Sequence, residues 1–269
     1  MRTWIILTAV LLFFGFSLFH ASWLAADPVG IPKLVAAKGA EPTRDAKGCA
    51  SGPSASDVAS LAMAVGNQAD VLNVSTQASG NQLVVGRQFE STCASDKSRS
   101  NSGIGEATYA LSKPQLLWRV KGVEQAATLL AALPAPSSTD DKQGLIGDGA
   151  AVAAFKKARP NAWAFEISAA RACASDYTTS GLWGSIPESC KQGTMLLTMD
   201  QVGYALWGWP NRFLARTDAA GLKVIIAESV EGDAITGLTD VNSYGDIANS
   251  FNGYIWIDDI EALGPALKR

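Results

Sequence analysis

Histidine is almost absent from this sequence, because His20 is the only one among its 269 residues. It lies in the N-terminal segment, so residues 27–269 contain no imidazole, the side chain that most often transfers protons near neutral pH. Any mechanism that requires a histidine as base, acid or metal ligand in that part of the chain is therefore excluded.

Charged residues are also few, at 17% of the chain, and acidic residues outnumber basic ones by 25 to 22. A protein whose main partner is nucleic acid needs a basic surface to bind phosphates, so this class of function is not expected. Apolar residues make up 48% of the chain, which is typical of a globular protein. The length fits one barrel domain or two small domains.

The first 26 residues differ from the rest of the chain. Arg2 precedes an uncharged run from Trp4 to Ala26, within which only His20 can titrate. A basic start, an apolar centre and small residues before a cut after Ala26 are typical of an export signal. The run is also long enough to cross a bilayer as a helix, and Leu24 is a poor residue three positions before the cut. A cleaved signal peptide and a retained membrane anchor therefore both remain open.

We expect three segments: a signal peptide or membrane anchor over residues 1–26, a linker over 27–32 and a folded domain over 33–269. The protein is expected to be exported to a periplasmic or other extracytoplasmic location, anchored to the inner membrane if the leader is retained. The membrane is the partner expected for the N-terminal segment.

The cysteines are few and even in number: Cys49, Cys93, Cys173 and Cys190. An even count in an exported chain predicts two disulfides, for which three pairings exist. We favour Cys49–Cys93 and Cys173–Cys190 because each pair lies within one half of the chain. There is no CxxC pair and no Cys/His cluster, so a zinc site is not expected.

Short, continuous apolar runs recur along the chain, as expected for strands that are buried on both faces. Nine strands are predicted, over Leu34–Lys38, Val71–Ser75, Leu83–Gly86, Leu116–Lys121, Gly144–Gly147, Trp163–Ile167, Met195–Met199, Val224–Ala227 and Tyr254–Ile257. Predicted helices lie between many of them, from Ser54 or Ser56 to about Val65 and over Val123–Leu133, Ala150–Arg159 and Asn211–Ala220. This alternation predicts a parallel sheet with helices outside.

Nine strands are one more than a regular eight-stranded barrel needs, so we expect one of them to lie outside the barrel. We predict that this extra strand is Met195–Met199. The link between Val71–Ser75 and Leu83–Gly86 is too short for a helical crossover. The barrel is therefore expected to be irregular at that point.

Several segments together carry a resemblance to a known family: Leu34–Gly39, Ala69–Ser75, Gln82–Gln88, Leu116–Lys121 and Gly253–Asp258. Their order and spacing resemble the glycerophosphodiester phosphodiesterases. The stretches Cys173–Cys190 and Leu206–Phe213 look similar to an exported, membrane-anchored bacterial branch of that family. The resemblance implies an α/β fold, a TIM-type (β/α)8 barrel over residues 33–269 that follows the N-terminal signal or anchor helix. It also implies phosphodiester hydrolysis in lipid metabolism.

The chain departs from the family at the positions that carry its chemistry. The first catalytic histidine and its arginine are replaced by Ala37 and Lys38, and the second His-Asp pair by Arg87 and Gln88. The metal-binding Glu and Asp become Asn73 and Ser75, while the lysine of the fourth strand is kept as Lys121.

These replacements remove several contributions to catalysis at once. The resemblance implies one imidazole as base, another as acid, and a divalent cation such as Ca²⁺ or Mg²⁺ held by carboxylates. Because those groups are replaced, no cofactor is expected and family-type hydrolysis should be very weak or absent.

Charged residues also follow the predicted strands, at the end where β/α barrels place their sites. The cationic set, Lys38, Arg87 and Lys121, could bind phosphate or another anion without cutting it. The acidic set could form a relocated metal site: Asp148, Glu166, Asp200, Glu228 and Asp258. The alternative is that these charged residues form no site and only mark the point at which each strand leaves the core and reaches solvent.

Aromatic residues concentrate after Gly181, at Trp183, Tyr204, Trp207 and Trp209. Core and lid packing explains such a group, and so does an aromatic lip that binds an apolar ligand or touches a membrane surface.

Three functions remain open at this point. The first is a non-catalytic barrel that binds a phosphate-containing small molecule, a lipid head group or a partner protein. The second is a phosphoric diester hydrolase that acts on glycerophosphodiesters through a histidine-free, relocated site. The third is a structural barrel that stabilises an active relative.

Overall fold

The computed structural model describes residues 2–38, 43–44, 50–51, 58–79, 82–85, 103–136, 141–203, 206–247 and 249–267. The helices in these ranges are α1 Arg2–His20, α2 Val58–Gly66, α3 Ile104–Ala110, α4 Gly122–Ala132, α5 Gly149–Ala158, α6 Ile167–Ser180, α7 Asn211–Ala219, α8 Val241–Gly245 and α9 Ile260–Ala266. Short 3₁₀ turns cover Ser22–Leu24, Gly181–Trp183, Glu188–Gln192 and Met199–Gln201.

The strands are β1 Lys33–Ala36, β2 Thr43–Arg44, β3 Ala50–Ser51, β4 Val71–Ser79, β5 Gln82–Val85, β6 Gln115–Arg119, β7 Gln143–Ile146, β8 Ala164–Phe165, β9 Thr194–Thr198, β10 Lys223–Ala227, β11 Ser229–Glu231, β12 Ala234–Thr236 and β13 Tyr254–Ile257. Eight of them form a parallel sheet in the order β8-β7-β6-β4-β1-β13-β10-β9. Because spatial neighbours are also successive barrel strands along the chain, this is a TIM-type (β/α)8 barrel, as predicted.

Apolar side chains fill the inside of the barrel. Val35 of β1 lies in register with Trp256 of β13 and with Val71 of β4. These three pack together with Leu117 and Ile225 in one buried cluster. A second, larger cluster lies between the sheet and the surrounding helices. Since both faces of the sheet are buried, the strands read as continuous apolar runs in the sequence.

The barrel is not quite closed, because β8 and β9 end the described ladder without pairing with each other. Side chains span the gap instead. The indole Nε1 of Trp163 donates to Thr194 Oγ1 at 3.0 Å, and the backbone N–H of Glu166 donates to Gln192 Oε1 at 3.4 Å. This seam between β8 and β9 is therefore held by side chains rather than by a backbone ladder.

The choice of Met195–Met199 as the extra strand was wrong. That segment is β9, a barrel strand paired in parallel with β10. The extra strand is β5, which pairs antiparallel with β4, with Thr76 opposite Val85. The physical reason is the short link after β4, because so few residues allow only an antiparallel return.

The N-terminal segment forms the helix α1. Most of its large apolar side chains are exposed, and Trp4 is 75% accessible. Within the part of the chain that the structure describes, none of the helices meets the length and apolarity required of a membrane span.

The predicted disulfide Cys173–Cys190 is present, with a Cα–Cα distance of 4.6 Å. It ties the middle of α6 to the turn Glu188–Gln192, and both half-cystines are buried. Cys49 and Cys93, the other predicted pair, lie outside the described residues.

Removal of this disulfide should lower the free energy of unfolding. Its half-cystines are 17 positions apart, and closing a loop of that size is worth about 3 kcal/mol in the chain-entropy model. We expect that loss for a Cys173→Ala/Cys190→Ala variant in denaturant unfolding. A loss below about 1 kcal/mol would show that the bridge constrains the unfolded chain little.

Candidate functional site

A cavity of about 660 Å³ opens at the mouth of the barrel, meaning the face formed by the carboxyl ends of its strands. Residues that end or follow β4, β6, β7 and β8 line it, together with the β11–β12 hairpin. The polar residues among them are Ser75, Thr76, Gln77, Arg119, Lys121, Asp148, Glu166 and Asp233.

The cationic side of this cavity comes from the end of β6. Arg119 is the last residue of the strand and lies in register with Ser75 of β4. Its Nη2 donates a hydrogen bond to the backbone oxygen of Asp233 in the hairpin turn. Lys121 follows two residues later, and its backbone N–H donates to Gln125 Oε1 at 2.7 Å. A side chain of α4 therefore holds the backbone of Lys121 just beyond the strand end.

The acidic side comes from the ends of β7 and β8. Asp148 caps α5, since its Oδ1 accepts from the N–H of Ala151 at 2.9 Å. Glu166 accepts a hydrogen bond from the hydroxyl of Ser168. A Cβ on Gly149 would lie 2.9 Å from Glu166 Oε2, so glycine leaves room for the carboxylate at the start of α5. A helix N-terminus favours negative charge, so the start of α5 is a favourable place for these carboxylates.

A buried amide lies deeper, next to the end of β1. Asn73 is only 5% exposed, and its Nδ2 donates to the backbone oxygen of Ala37 at 2.8 Å. Its Oδ1 and the Nε1 of Trp256 are both buried and have no hydrogen-bond partner among the described residues. One acceptor and one donor thus remain available inside the barrel.

The predicted cationic residues are only partly brought together. Lys121 lines the cavity, whereas Lys38, which follows β1, is not among the described residues that line it. Arg87 and Gln88 lie outside the described residues. Arg119 takes a place in the cavity that the sequence analysis did not give it.

The predicted acidic residues separate into two groups. Asp148 and Glu166 share the cavity with Asp233. The other three lie elsewhere on the same end of the barrel. Asp200 accepts from the hydroxyl of Thr198 in the turn after β9. The backbone N–H groups of Glu228 and Asp258 donate to Thr236 and Leu238, on or beside β12.

Asp233 was missed from the sequence, although a signal was present. Gly232 and Asp233 form a turn typical of a hairpin between two short β runs. What the sequence could not show is that this hairpin folds towards the end of β6.

Comparison with known proteins gives a consistent answer for the fold alone. No family model matches the sequence, and no curated protein sequence matches it either. Among solved structures, the glycerophosphoryl diester phosphodiesterase domain of a Mycobacterium tuberculosis protein matches with a TM-score of 0.60 and 10% identity, over 88% of this chain and 99% of that one. The chain has the fold of the glycerophosphodiester phosphodiesterases.

Two further solved structures share this fold. The glycerophosphodiester phosphodiesterase of Agrobacterium tumefaciens matches with a TM-score of 0.57 and 12% identity, over 87% of this chain and 98% of that one. One from Parabacteroides distasonis matches with a TM-score of 0.52 and 10% identity, over 88% of this chain and 97% of that one. At such low identity the likeness concerns the arrangement of strands and helices alone.

The glycerophosphodiester phosphodiesterase resemblance implies a divalent cation, and the residues at its expected ligand positions are not the carboxylates that such a cation prefers. Asn73 and Ser75, at the expected ligand positions, bring oxygens but no charge, and hard cations prefer carboxylates. No group of three or more acidic, cysteine or histidine side chains arranged for a metal occurs among the described residues.

Proposed function

We propose that this chain is a glycerophosphodiester phosphodiesterase-like barrel that binds phosphate or a related anion at its mouth without hydrolysing it. One observation carries the proposal: Arg119 and Lys121 line the same cavity, at the end of the barrel where β/α proteins bind their ligands. A guanidinium and an ammonium are both charged hydrogen-bond donors of the kind that bind phosphate oxygens.

The residues at the positions that the family resemblance makes catalytic support an absence of turnover. Ala37 has no side chain that can transfer a proton, and no histidine occurs in residues 27–269. Asn73 uses its amide N–H to hold the backbone of Ala37, so it serves the structure of the strand ends. The cavity can thus hold an anion, but no imidazole lies among the described residues that line it, whereas the family resemblance implies one imidazole as base and another as acid.

The bound molecule that we propose is a phosphate-containing small molecule or a lipid head group. We also propose that the chain is exported and works at a membrane, through its apolar N-terminal segment. The uncharged leader and the disulfide support this location, because structural disulfides persist in oxidising compartments.

Anion binding can be tested on the two cationic residues. We expect Lys121→Ala and Arg119→Ala each to weaken the binding of inorganic phosphate or glycerophosphate by about tenfold, the loss of one charge-assisted hydrogen bond. Calorimetric titration would measure this, and the affinity of the parent should fall as salt is added. Lys157→Ala is the matched control, since Lys157 is exposed on α5 away from the cavity. Unchanged affinity in both cavity variants would refute the proposal.

A second candidate function is a histidine-free phosphodiester hydrolase. The observation that favours it is the pair of carboxylates, Asp148 and Glu166, in the same cavity as Arg119 and Lys121. Carboxyl groups can act as general acid and base when they lie close to the reacting bond. This candidate predicts turnover that depends on both acids.

A further inference from the structure

The end of the leader is in contact with a distant part of the chain. We define the docking surface by six residues of the segment from the end of α6 to α7: Leu182, Gly184, Trp207, Asn211, Arg212 and Arg216. Phe16, Phe19, His20, Ser22 and Asp27 of the leader and linker contact it. These contacts join residues up to 197 positions apart in the sequence.

Phe19 makes the apolar part of this contact. The guanidinium carbons of Arg212 and Arg216 lie 5.7 Å and 4.9 Å from the centre of its ring, at cation–π distance. Arg216 Nη2 also donates to the backbone oxygen of Phe19 at 3.3 Å. A Cβ on Gly184, which has a φ of +72°, would lie 2.5 Å from the ring. The absence of a side chain at Gly184 therefore leaves room for the ring of Phe19.

Polar groups of the leader and linker also take part in the contact, and they accept hydrogen bonds from the start of α7. The backbone N–H of Asn211, the first residue of α7, donates to Ser22 Oγ at 2.9 Å. Its side-chain Nδ2 donates to Asp27 Oδ1 at 2.6 Å. A free N–H at a helix start needs such an acceptor, so the leader supplies part of the cap of α7. His20 Nε2 lies 2.9 Å from the backbone oxygen of Leu182.

The docking surface lies at the amino ends of the barrel strands, opposite the mouth. Leu182 and Gly184 follow the end of α6, which runs from the carboxyl end of β8 back towards the start of β9. Asn252, just before β13, donates to the backbone oxygen of Val29 at 3.2 Å and holds the linker at the same end. The leader thus leaves the barrel on the side away from Arg119 and Lys121.

Apolar surface extends from this contact along α1. Between Trp4 and Phe19 there is no charged residue, and Phe13 is 68% exposed. Trp23 and Trp183 beside it are 76% and 77% exposed. An apolar groove of about 500 Å³ separates α1 from Leu182 and Trp183. Continuous apolar surface with tryptophan at its edge is typical of a protein face that meets lipid.

We propose that the leader is retained as part of the folded protein, and that the exposed apolar face of α1 lies in a lipid bilayer. The barrel then has its strand amino ends towards the lipid and its mouth towards water. The inference rests on the membrane attachment in the proposed function, but not on anion binding. Under this proposal the leader is an anchor and not a cleaved signal peptide. Cleavage after Ala26 would remove Phe19, His20 and Ser22 together with their contacts to the docking surface.

The first experiment determines the fate of the leader. The full chain is exported with a C-terminal tag, its intact mass is measured, and the purified protein is floated with vesicles of phosphatidylethanolamine and phosphatidylglycerol. We expect an uncut leader and flotation with the vesicles. A mature chain that begins at Asp27 and stays soluble overturns both the retained leader and the membrane attachment. An uncut chain that forms dimers in solution and does not float overturns the lipid partner.

The second experiment separates docking from attachment. In detergent, Phe19→Ala should lower the melting temperature of the full chain by about 2–4 °C, the shift expected for about 1 kcal/mol in a domain of this size. Leu7→Ala, on an exposed part of α1 outside the contact, is the matched control. Equal melting temperatures for the two variants overturn docking even if the protein floats.

The orientation has its own measurement. A polarity-sensitive fluorophore is attached at Trp183→Cys beside the groove, or at Asp233→Cys in the exposed hairpin at the mouth. Added vesicles should shift the emission to the blue at position 183 only. A blue shift at position 233 contradicts a mouth that faces water.

Discussion

The purified protein should hydrolyse glycerophosphodiesters at least about 10⁴-fold more slowly than an enzyme of this fold, because each lost proton-transfer role is worth about 10²–10⁴ in rate. The same result is expected with Ca²⁺ or Mg²⁺ added. Ala37 cannot take or give a proton, and Asn73 and Ser75 offer a cation no charge. The electrostatic part of catalysis that Arg119 and Lys121 could still provide does not replace a base and an acid.

Release of glycerol phosphate from a glycerophosphodiester, followed over hours, measures this rate. Turnover well above the uncatalysed rate that disappears in both Asp148→Asn and Glu166→Gln would instead support the histidine-free hydrolase. Glu188→Gln is the matched control, since Glu188 is exposed and forms an ion pair with Lys191, which is exposed as well. Turnover that survives all three changes would indicate a contaminating enzyme.

Loss of the buried ion pair between Arg159 and Asp141 should be the most damaging single change to stability. The two side chains are 3% and 4% exposed, and Arg159 Nη1 lies 2.9 Å from each carboxylate oxygen. Arg159 Nη2 also donates to the backbone oxygen of Pro134. We expect Arg159→Met to cost about 3–5 kcal/mol, because it leaves a buried carboxylate without its cation.

Denaturant unfolding of a double-mutant cycle measures this effect. Arg159→Met/Asp141→Leu should recover much of the loss, since replacing both charges by apolar groups removes the unpaired carboxylate. Lys191→Ala, which breaks the exposed pair with Glu188, should leave the unfolding midpoint unchanged. A single Arg159→Met variant as stable as the parent would show that water reaches Asp141.

Much of the barrel was predictable because its strands are buried on both faces. The runs Leu116–Lys121 and Val224–Ala227 are continuous and apolar in the sequence, and they became β6 and β10. β5 presents a similar apolar run, yet it lies outside the barrel. Apolar composition could not distinguish it from a barrel strand, and only the length of the link after β4 carried that information.

The sequence predicted those site residues whose place is set by the end of a single strand. It did not predict a residue whose place depends on how two separate elements pack together. Lys121, Asp148 and Glu166 each follow a strand, and they came together in the cavity. Asp233 belongs to a hairpin whose direction is set by its packing on the barrel, which no local pattern encodes. Asp200 follows a strand as well, but it does not line the cavity. It lies in the turn Met199–Gln201, where its carboxylate accepts a hydrogen bond from the hydroxyl of Thr198.

Because β8 and β9 do not pair with each other, the sheet has two edge strands at the seam. The distance between these two strands can change at the cost of a few side-chain hydrogen bonds, such as that between Trp163 and Thr194, without breaking a backbone ladder. Glu166 stands on one edge of the sheet and Arg119 lies two strands further in. A movement at the seam would therefore displace Glu166 before Arg119, because only the strand that Glu166 follows is an edge strand.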